Sequence, residues 1–196
     1  MRVIAGSARG RPLRAADGTR PTADLTKGSI FSILEALAYK RGFEPDEEGA
    51  LAAALAWPRV LDLFAGSGAL GIEALSRGAQ HATFIEQDRA AARIVESNLR
   101  ATGLTDNASL LVGPVTLSLQ RARGPFDLVL VDPPYRDAAA LRTAIEELEK
   151  EGLLVATSVV VLEQPANAEP AAAVAKLPLA STRRHGGTRI SVYAAG

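Results

Sequence analysis

The sequence predicts an α/β domain with a mostly parallel sheet that ends in an antiparallel hairpin. From residue 59 onward, short apolar runs alternate with amphipathic stretches, which is typical of repeated strand–helix–strand units. The first run, Val60–Phe64, breaks into a glycine-rich turn before a helix, as strands of parallel sheets do beside a nucleotide-like ligand. The last two runs flank His185-Gly186-Gly187, which is a hairpin signal.

Seven strands are predicted, five in the parallel part and two in the hairpin. They are Val60–Phe64, His81–Glu86, Ser109–Val112, Phe126–Val131, Leu154–Glu163, Leu177–Arg184 and Thr188–Tyr193. The near-continuous apolar character of Phe126–Val131 is expected of a central strand covered on both faces. The helices predicted between the first five strands are Ala69–Arg77, one from the Asp88 cap to Gly103, Val115–Arg121, and one that starts at Asp137.

Residues 1–41 are predicted to form an N-terminal extension of a small β-hairpin and a helix. The short strands Arg2–Ile4 and Arg11–Leu13 flank a loop of small residues. Thr22 can cap a helix that runs to about Tyr39. The acidic, then alanine-rich stretch 42–58 is interpreted as a linker with a short helix, so the predicted segments are 1–41, 42–58 and 59–196.

Composition restricts the class of protein. The 196 residues, 47% of them hydrophobic, suit a single domain with its own core. The absence of cysteine excludes disulfides and thiolate metal sites. No apolar run approaches the about 20 residues of a membrane span, and the N-terminus lacks a signal-peptide pattern. We therefore expect a cytoplasmic monomer that does not associate with membranes.

The net charge of zero conceals an asymmetry. Residues 1–41 carry eight Lys or Arg and three Asp or Glu, a net charge of +5, so the remainder carries −5. A basic extension on an acidic body indicates contact with a polyanion, although a solvated charged tail has the same pattern. The candidate phosphate contacts are Arg9, Arg11, Arg14, Arg20 and Lys27.

The turn Gly66–Gly71 is the first candidate binding element. Its glycines permit positive φ, close backbone approach and tight packing of the helix on its strand. The pattern alone fits a nicotinamide or flavin dinucleotide, S-adenosylmethionine, or a turn without a ligand. Glu86 follows Gly66 by 20 residues, where a carboxylate can accept hydrogen bonds from both ribose hydroxyls. Further candidates around this ligand are Asp62, Gln87, Pro114 and Val115, of which Pro114 offers no side-chain acceptor to an adenine amino group.

The tip Asp132-Pro133-Pro134-Tyr135, after the fourth strand, decides between these ligands. An exocyclic amine has its nitrogen lone pair delocalised into the base, so hydrogen-bond acceptors must hold its N–H groups and direct that lone pair at a methyl group. The Asp132 carboxylate and the Pro133 carbonyl are such acceptors, the prolines stiffen the loop, and Tyr135 can stack on a base turned out of its helix. A dinucleotide oxidoreductase has no evident need for this set.

Together these residues resemble a family. The Asp132–Tyr135 tip, the block VLDLFAGSGALGIEALSRGA, the N-terminal RVIAGSARGRPL with GTRPTAD, and the closing HGGTRI are similar to the ribosomal small subunit methyltransferase D family of bacterial guanine-N2 methyltransferases. Two positions depart from the family's pattern. Gly28 stands where a glutamate is common, and Pro114 stands where an aspartate is frequent.

The resemblance implies a Rossmann-like S-adenosylmethionine-dependent fold and a methyl transfer to guanine N2 in small-subunit ribosomal RNA, bare or within an assembling 30S subunit. It implies that Phe64, Ala65, Gly66, Ser67 and Gly68 wrap the methionine part of S-adenosylmethionine. Glu86 would take the ribose, and Asp132 to Tyr135 would hold the guanine amino group beside the cofactor. The basic N-terminal segment would grip RNA. The product cofactor is S-adenosylhomocysteine, and no metal is needed.

Two other functions stay open at this level. The tip is shared with DNA adenine-N6 and protein glutamine-N5 methyltransferases, although no target-recognition insertion is visible in the chain. Pro114 and Gly28 also fit a catalytically silent RNA-binding module that retains the fold.

Overall fold

The computed structural model describes residues 1–15, 24–43, 56–134 and 138–195. Its helices are α1 Asp24–Lys40, α2 Ala69–Ser76, α3 Arg89–Thr102, α4 Val115–Leu119 and α5 Ala138–Lys150. Its strands are β1 Arg59–Leu63, β2 His81–Glu86, β3 Ala108–Val112, β4 Phe126–Val131, β5 Leu154–Pro165, β6 Ala173–Val174, β7 Leu177–His185 and β8 Thr188–Ala194. Outside these residues lie Arg20, the Thr22 cap, most of the linker with its predicted helix, Tyr135 and the Asp137 helix start.

The strands form one mixed sheet in the order β3-β2-β1-β4-β5-β8-β7-β6. Strands β1 to β5 are parallel, and β8 pairs antiparallel with both β5 and β7. The seven predicted strands are present with bounds that agree within two residues, and the α/β class with an antiparallel end is confirmed. The predicted total is one too low, because the edge strand β6 has only two residues and therefore shows no periodicity.

The helix ends follow from local chemistry. The Asp88 side chain accepts hydrogen bonds from the backbone N–H groups of Ala90 and Ala91, which is the predicted cap of α3. Gly103 ends that helix in the left-handed conformation, with φ 73°. The helix α4 stops at Leu119, two residues earlier than predicted.

Two apolar cores cover the faces of the sheet. On one face, buried side chains of α1, α2 and α3 pack against alternate residues of the strands, such as Val60, Leu128 and Val161. On the other face, residues of α4 and α5 pack against Leu61, Val129 and their neighbours. Among the described residues, no helix combines the length and the apolar character that a membrane crossing requires.

The N-terminal residues 1–15, which we call the leader, pack on the α1–α3 face. The two predicted leader strands are wrong in extent, because the structure has only a single antiparallel bridge between Arg2 and Pro12. The reason is that the N–H groups of Ile4 and Ala5 bind the side chain of Glu73 in α2 instead of a neighbouring strand. The hairpin is thus reduced to a turn held against the helix.

Candidate active site

Three polar segments leave the sheet side by side where its parallel strands end, which we call the carboxyl edge. Leu63, at the end of β1, pairs with Ile85 of β2 on one side and with Val131 of β4 on the other. The residues that follow are the glycine turn, Glu86 and Asp132. Because neighbouring strands lie about 4.8 Å apart, these segments form one continuous surface at the position where α/β sheets bind ligands.

The turn after β1 exposes its backbone because it uses left-handed conformations. Gly66 and Gly68 have φ of 56° and 76°, and Phe64 has φ of 61°, which strains a residue with a side chain. The turn is closed by hydrogen bonds from the N–H of Gly68 to the Ala65 carbonyl at 2.7 Å and from the N–H of Ala65 to the Ile85 carbonyl at 3.0 Å. The turn is therefore attached to β2 as well as to its own strand.

Glu86 shapes the glycine turn directly. Its Oε2 accepts a hydrogen bond from the N–H of Gly66 at 2.7 Å, and its Oε1 accepts one from the N–H of Asp88 at 2.8 Å. A carboxylate has about four acceptor positions, so each oxygen retains one for a ligand. Val112 pairs with Glu86 across the β2–β3 ladder and is 41% exposed, which supplies apolar surface beside the carboxylate.

Asp62 is buried beneath the turn and ties β1 to α2. Its Oδ2 accepts a hydrogen bond from the N–H of Gly71 at 2.9 Å. Burial raises the pKa of Asp62 well above its usual range, and the nearby carboxylates of Asp132 and Glu86 raise this pKa further, against the opposing effect of the Gly71 bond. Three carboxyl groups therefore lie close enough at the carboxyl edge to influence one another.

The tip after β4 presents Asp132 at the surface of the site. Asp132 is partly buried, Pro133 is buried and Pro134 is exposed, while Tyr135 lies outside the described residues. The charge of Asp132 acts on Asp62, which establishes that the tip and the glycine turn adjoin. The sequence-predicted elements are thus brought together on neighbouring strands.

The third tip contributes backbone rather than side-chain polarity. The N–H of Gly113 donates to the Glu86 carbonyl at 3.0 Å, and the Pro114 carbonyl accepts from the N–H of Ser118 in the first turn of α4. Pro114 is exposed, Val115 is buried, and Gln87 is exposed beside Glu86. These two backbone bonds fix the tip next to the predicted ribose site.

The leader arginines are exposed but differ in position. Arg14 lies near the glycine turn, because its backbone and that of Ser67 bind the same side chain, Asn98. Arg11 donates from Nη1 to the Ala101 carbonyl at 2.9 Å, near the end of α3. Arg9 is exposed, and Arg20 lies outside the described residues.

Lys27 is wrong as a predicted phosphate contact. Its side chain is fully buried, and its Nζ donates to the Arg2 carbonyl at 2.5 Å and to Glu73 Oε2 at 3.3 Å. A buried lysine requires such partners because an unpaired charge in the interior is very costly. Lys27 therefore joins α1, α2 and the leader, and is not available to RNA.

The hairpin between β7 and β8 also ends at the carboxyl edge. Since β7 and β5 are each antiparallel to β8, β7 runs parallel to β5 and its last residue, His185, lies at the same edge as the glycine turn. Arg183 and Arg184, which are exposed, precede it. Three strand spacings of about 4.8 Å separate β7 from β4, so this charge lies roughly 14 Å from the line of β4.

A family model described as Conserved hypothetical protein 95 matches residues 1–194. The chain belongs to this family. Ribosomal RNA small subunit methyltransferase D of Escherichia coli strain K12 is 36% identical over 165 residues, which cover 83% of this chain and 74% of that protein. A candidate rRNA methyltransferase of Bacillus subtilis, YlbH, is 37% identical over 203 residues, which cover 98% of each chain.

A solved structure agrees with this assignment. The candidate methyltransferase YhhF from Escherichia coli has a TM-score of 0.78 and 34% identity, with coverage of 98% of this chain and 96% of that chain. The resemblance to the small subunit methyltransferase D family is therefore confirmed, and so is the Rossmann-like methyltransferase fold.

In this member of the family, sequence reasoning missed Glu73, which attaches the leader to α2. Its Oε2 accepts from the N–H of Ile4 at 2.8 Å, and its Oε1 accepts from the N–H of Ala5 at 3.0 Å. Arg77 Nε also donates to Oε1, at 2.8 Å. The available signal was a lone acidic residue in the otherwise apolar helix ALGIEALS, which indicates a paired internal charge.

No group of three or more metal-ligating side chains occurs within the described part of the chain. The polar groups at the carboxyl edge are carboxylates and backbone amides. This donor set suits the hydroxyl, amine and sulfonium groups of an organic cofactor.

Proposed function

We propose that this protein transfers a methyl group from S-adenosylmethionine to the exocyclic N2 of a guanine in small-subunit ribosomal RNA. The family relationship supports rRNA methyltransferase activity, because the E. coli relative is named for it. The choice of N2 of guanine extends the resemblance to the tip Asp132–Tyr135. The substrate is bare RNA or an assembling 30S subunit, and the enzyme acts as a monomer.

The observation that carries the proposal is the placement of three carboxyl groups, those of Asp62, Glu86 and Asp132, around one glycine turn. An anionic site favours a cationic sulfonium and disfavours the negatively charged pyrophosphate of a dinucleotide. The same charges bind a sulfonium donor more tightly than its neutral thioether product. This asymmetry supports a methyl donor over the nicotinamide or flavin alternatives.

The residues present fit S-adenosylmethionine. The backbone of Phe64 to Gly68 offers a close approach to the methionine part, and each Glu86 oxygen retains an acceptor position for a ribose hydroxyl. Val112 and Pro114 offer apolar surface to the adenine ring, in place of a side-chain acceptor for its amino group. When bound, the cofactor supplies an electrophilic methyl group and a neutral leaving group.

The chain's own contribution to the reaction is positioning. The Asp132 carboxylate and the Pro133 carbonyl accept hydrogen bonds from the amine N–H groups, which holds the nitrogen lone pair toward the methyl group. Asp132 or water takes the proton that the nitrogen loses after it has been methylated. Tyr135 is proposed to stack on the flipped base.

RNA is proposed to cross the carboxyl edge between the leader and the β7–β8 hairpin. Arg9, Arg11 and Arg14 supply positive charge from one side, and Arg183 and Arg184 supply it from the other. Phosphate contacts of this kind bind nucleic acid with a strong dependence on salt concentration. They fix the position of the strand, while the tip at Asp132 selects the base.

The proposal is tested by incubating small-subunit particles and bare small-subunit RNA, both from a strain that lacks the enzyme, with methyl-labelled S-adenosylmethionine. We expect label in one or both substrates and none in DNA or protein. Label in DNA or protein alone would establish one of the other amino methyltransferases. Calorimetry without S-adenosylmethionine binding would establish a silent RNA-binding module, and a thermal shift with NAD would establish an oxidoreductase.

A further inference from the structure

The helix α3 forms the surface beneath the glycine turn. A Cβ placed on Gly68 would lie 3.1 Å from the Cγ1 of Val95, so this helix and the turn are in direct contact. Asn98 follows Val95 by three residues, which puts the two side chains on the same face of the helix. Asn98 is only 1% exposed, which is unusual for an asparagine and indicates a specific role for its amide group.

The Asn98 side chain joins the turn to the leader. Its Nδ2 donates to the Ser67 carbonyl at 2.8 Å and to the Arg14 carbonyl at 3.0 Å. Its Oδ1 accepts from the Arg14 N–H at 2.9 Å. Both donor hydrogens of the amide are thereby used, one on each segment, and the peptide of Arg14 is held at both its N–H and its C=O.

We propose that Asn98 is a positioning residue that couples the leader to the glycine turn, so that binding of RNA and binding of the cofactor strengthen each other. This inference rests on the proposed function, in which the leader contacts RNA and the turn holds S-adenosylmethionine. A phosphate held by Arg14 restricts the backbone of that residue, and Asn98 transmits the restriction to the Ser67 carbonyl. The two ligands then share the free-energy cost of ordering this connection.

The turn is suited to such control because it is held from two sides. Glu86 binds the N–H of Gly66 from the β2 side, and Asn98 binds the carbonyl of Ser67 from the α3 side. Gly66 and Gly68, on either side of Ser67, both have positive φ. Few side chains therefore determine where the Ser67 peptide points.

Attachment of the leader to the body does not depend on Asn98. Ile4 and Ala5 bind Glu73, the N–H of Ser7 donates to the Ser76 carbonyl at 2.7 Å, and the N–H of Ala8 donates to Ser76 Oγ at 3.0 Å. Removal of the Asn98 amide leaves these bonds in place. The variant is therefore expected to fold with the leader attached but with its last residues released from the turn.

The test measures a coupling ratio in the full chain. Calorimetry gives the Kd of S-adenosylhomocysteine alone and with saturating unmodified small-subunit RNA, so that no turnover occurs. We expect the wild type to bind about tenfold more tightly with RNA, within the usual range of coupling between two sites. Asn98→Ala should reduce this ratio to less than about twofold.

The matched control is Asn107→Ala, because Asn107 Nδ2 also donates to a backbone carbonyl, that of Gln80 at 3.0 Å, but contacts neither segment. It should retain the wild-type ratio. Asn98→Ser, which keeps a polar group at the buried position, provides the same measurement if the alanine variant melts below the assay temperature.

Each result has a distinct meaning. A wild-type ratio of one, a retained ratio in Asn98→Ala, or an equal loss in Asn107→Ala would overturn the coupling role while leaving the proposed function intact. Failure of the wild type to bind either S-adenosylhomocysteine or RNA would instead overturn the proposed function, and the inference with it.

Discussion

The Oε2 atom of Glu86 accepts a hydrogen bond from the backbone N–H of Gly66 at 2.7 Å. The residue predicted to bind ribose therefore also sets the shape of the turn predicted to bind methionine. The two parts of the proposed cofactor site are one structural unit, and a change at Glu86 affects both.

Replacement of Glu86 by glutamine tests this unit. The amide keeps one acceptor but presents N–H groups to either Gly66 or Asp88, so one backbone bond and the negative charge are lost. We expect S-adenosylmethionine affinity to fall by about tenfold to a hundredfold in calorimetry. Glu96→Gln, on the exposed face of α3, is the matched control and should bind normally. Unchanged affinity in Glu86→Gln would exclude Glu86 from the site.

Gly71→Ala tests the packing of α2 on the sheet. An alanine Cβ would lie 2.3 Å from Cε1 of Phe84, whose ring is fully buried. We expect the free energy of unfolding to fall by about 1–3 kcal/mol in urea titrations. Gly28→Ala is a matched helical control, because its nearest neighbour, Ile4 Cδ1, is 3.9 Å away. That change should be neutral or stabilise by up to about 1 kcal/mol, and equal losses would contradict the packing explanation.

Asp62→Asn tests the raised pKa of the buried carboxyl. Because the folded protein keeps this proton after the unfolded chain has released it, the wild type loses stability as pH rises above about 4 toward the raised pKa. Asparagine can still accept the bond from Gly71 and does not titrate. The stability of the variant relative to wild type should therefore rise with pH, by at most about 1.4 kcal/mol per pH unit. A difference that is the same at pH 4.5 and pH 7.5 would contradict the burial effect.

The double replacement Arg9→Ala with Arg14→Ala tests the leader as an RNA contact. Loss of two phosphate contacts should weaken RNA binding and flatten its slope against log salt by about 1.5, while S-adenosylmethionine affinity at fixed pH changes little. The charge-matched control replaces Arg121 and Arg123, which are exposed between α4 and β4 at the opposite edge of the sheet. Identical slopes for both double variants would remove the leader from the RNA path.

Much of the fold could be predicted because strands, caps and glycine turns depend on local sequence. The Asp88 cap and the run Phe126–Val131 carry their own signals. The adjacency of the glycine turn, Glu86 and Asp132 followed from one topological rule about parallel sheets. The part that was predictable is therefore the part determined by neighbours in the chain.

Lys27 shows what local reasoning misses. It repeats at helical spacing with Ile30 and Leu34 and so lies on the apolar face of α1, but its charge suggested a surface residue. Its partner Glu73 is 46 residues away, and only the packing of α1 on α2 brings the two together. Asn98, 31 residues from Ser67, was missed for the same reason.

The central claim is that the tip at Asp132 directs a methyl group onto guanine N2. The most direct measurement is nucleoside mass spectrometry of small-subunit RNA after reaction with the wild type and with Asp132→Ala. We expect N2-methylguanosine from the wild type, and at least about a hundredfold less from the variant, which still binds S-adenosylmethionine. N6-methyladenosine from the wild type would contradict the assigned base, and full turnover by Asp132→Ala would contradict the assigned site.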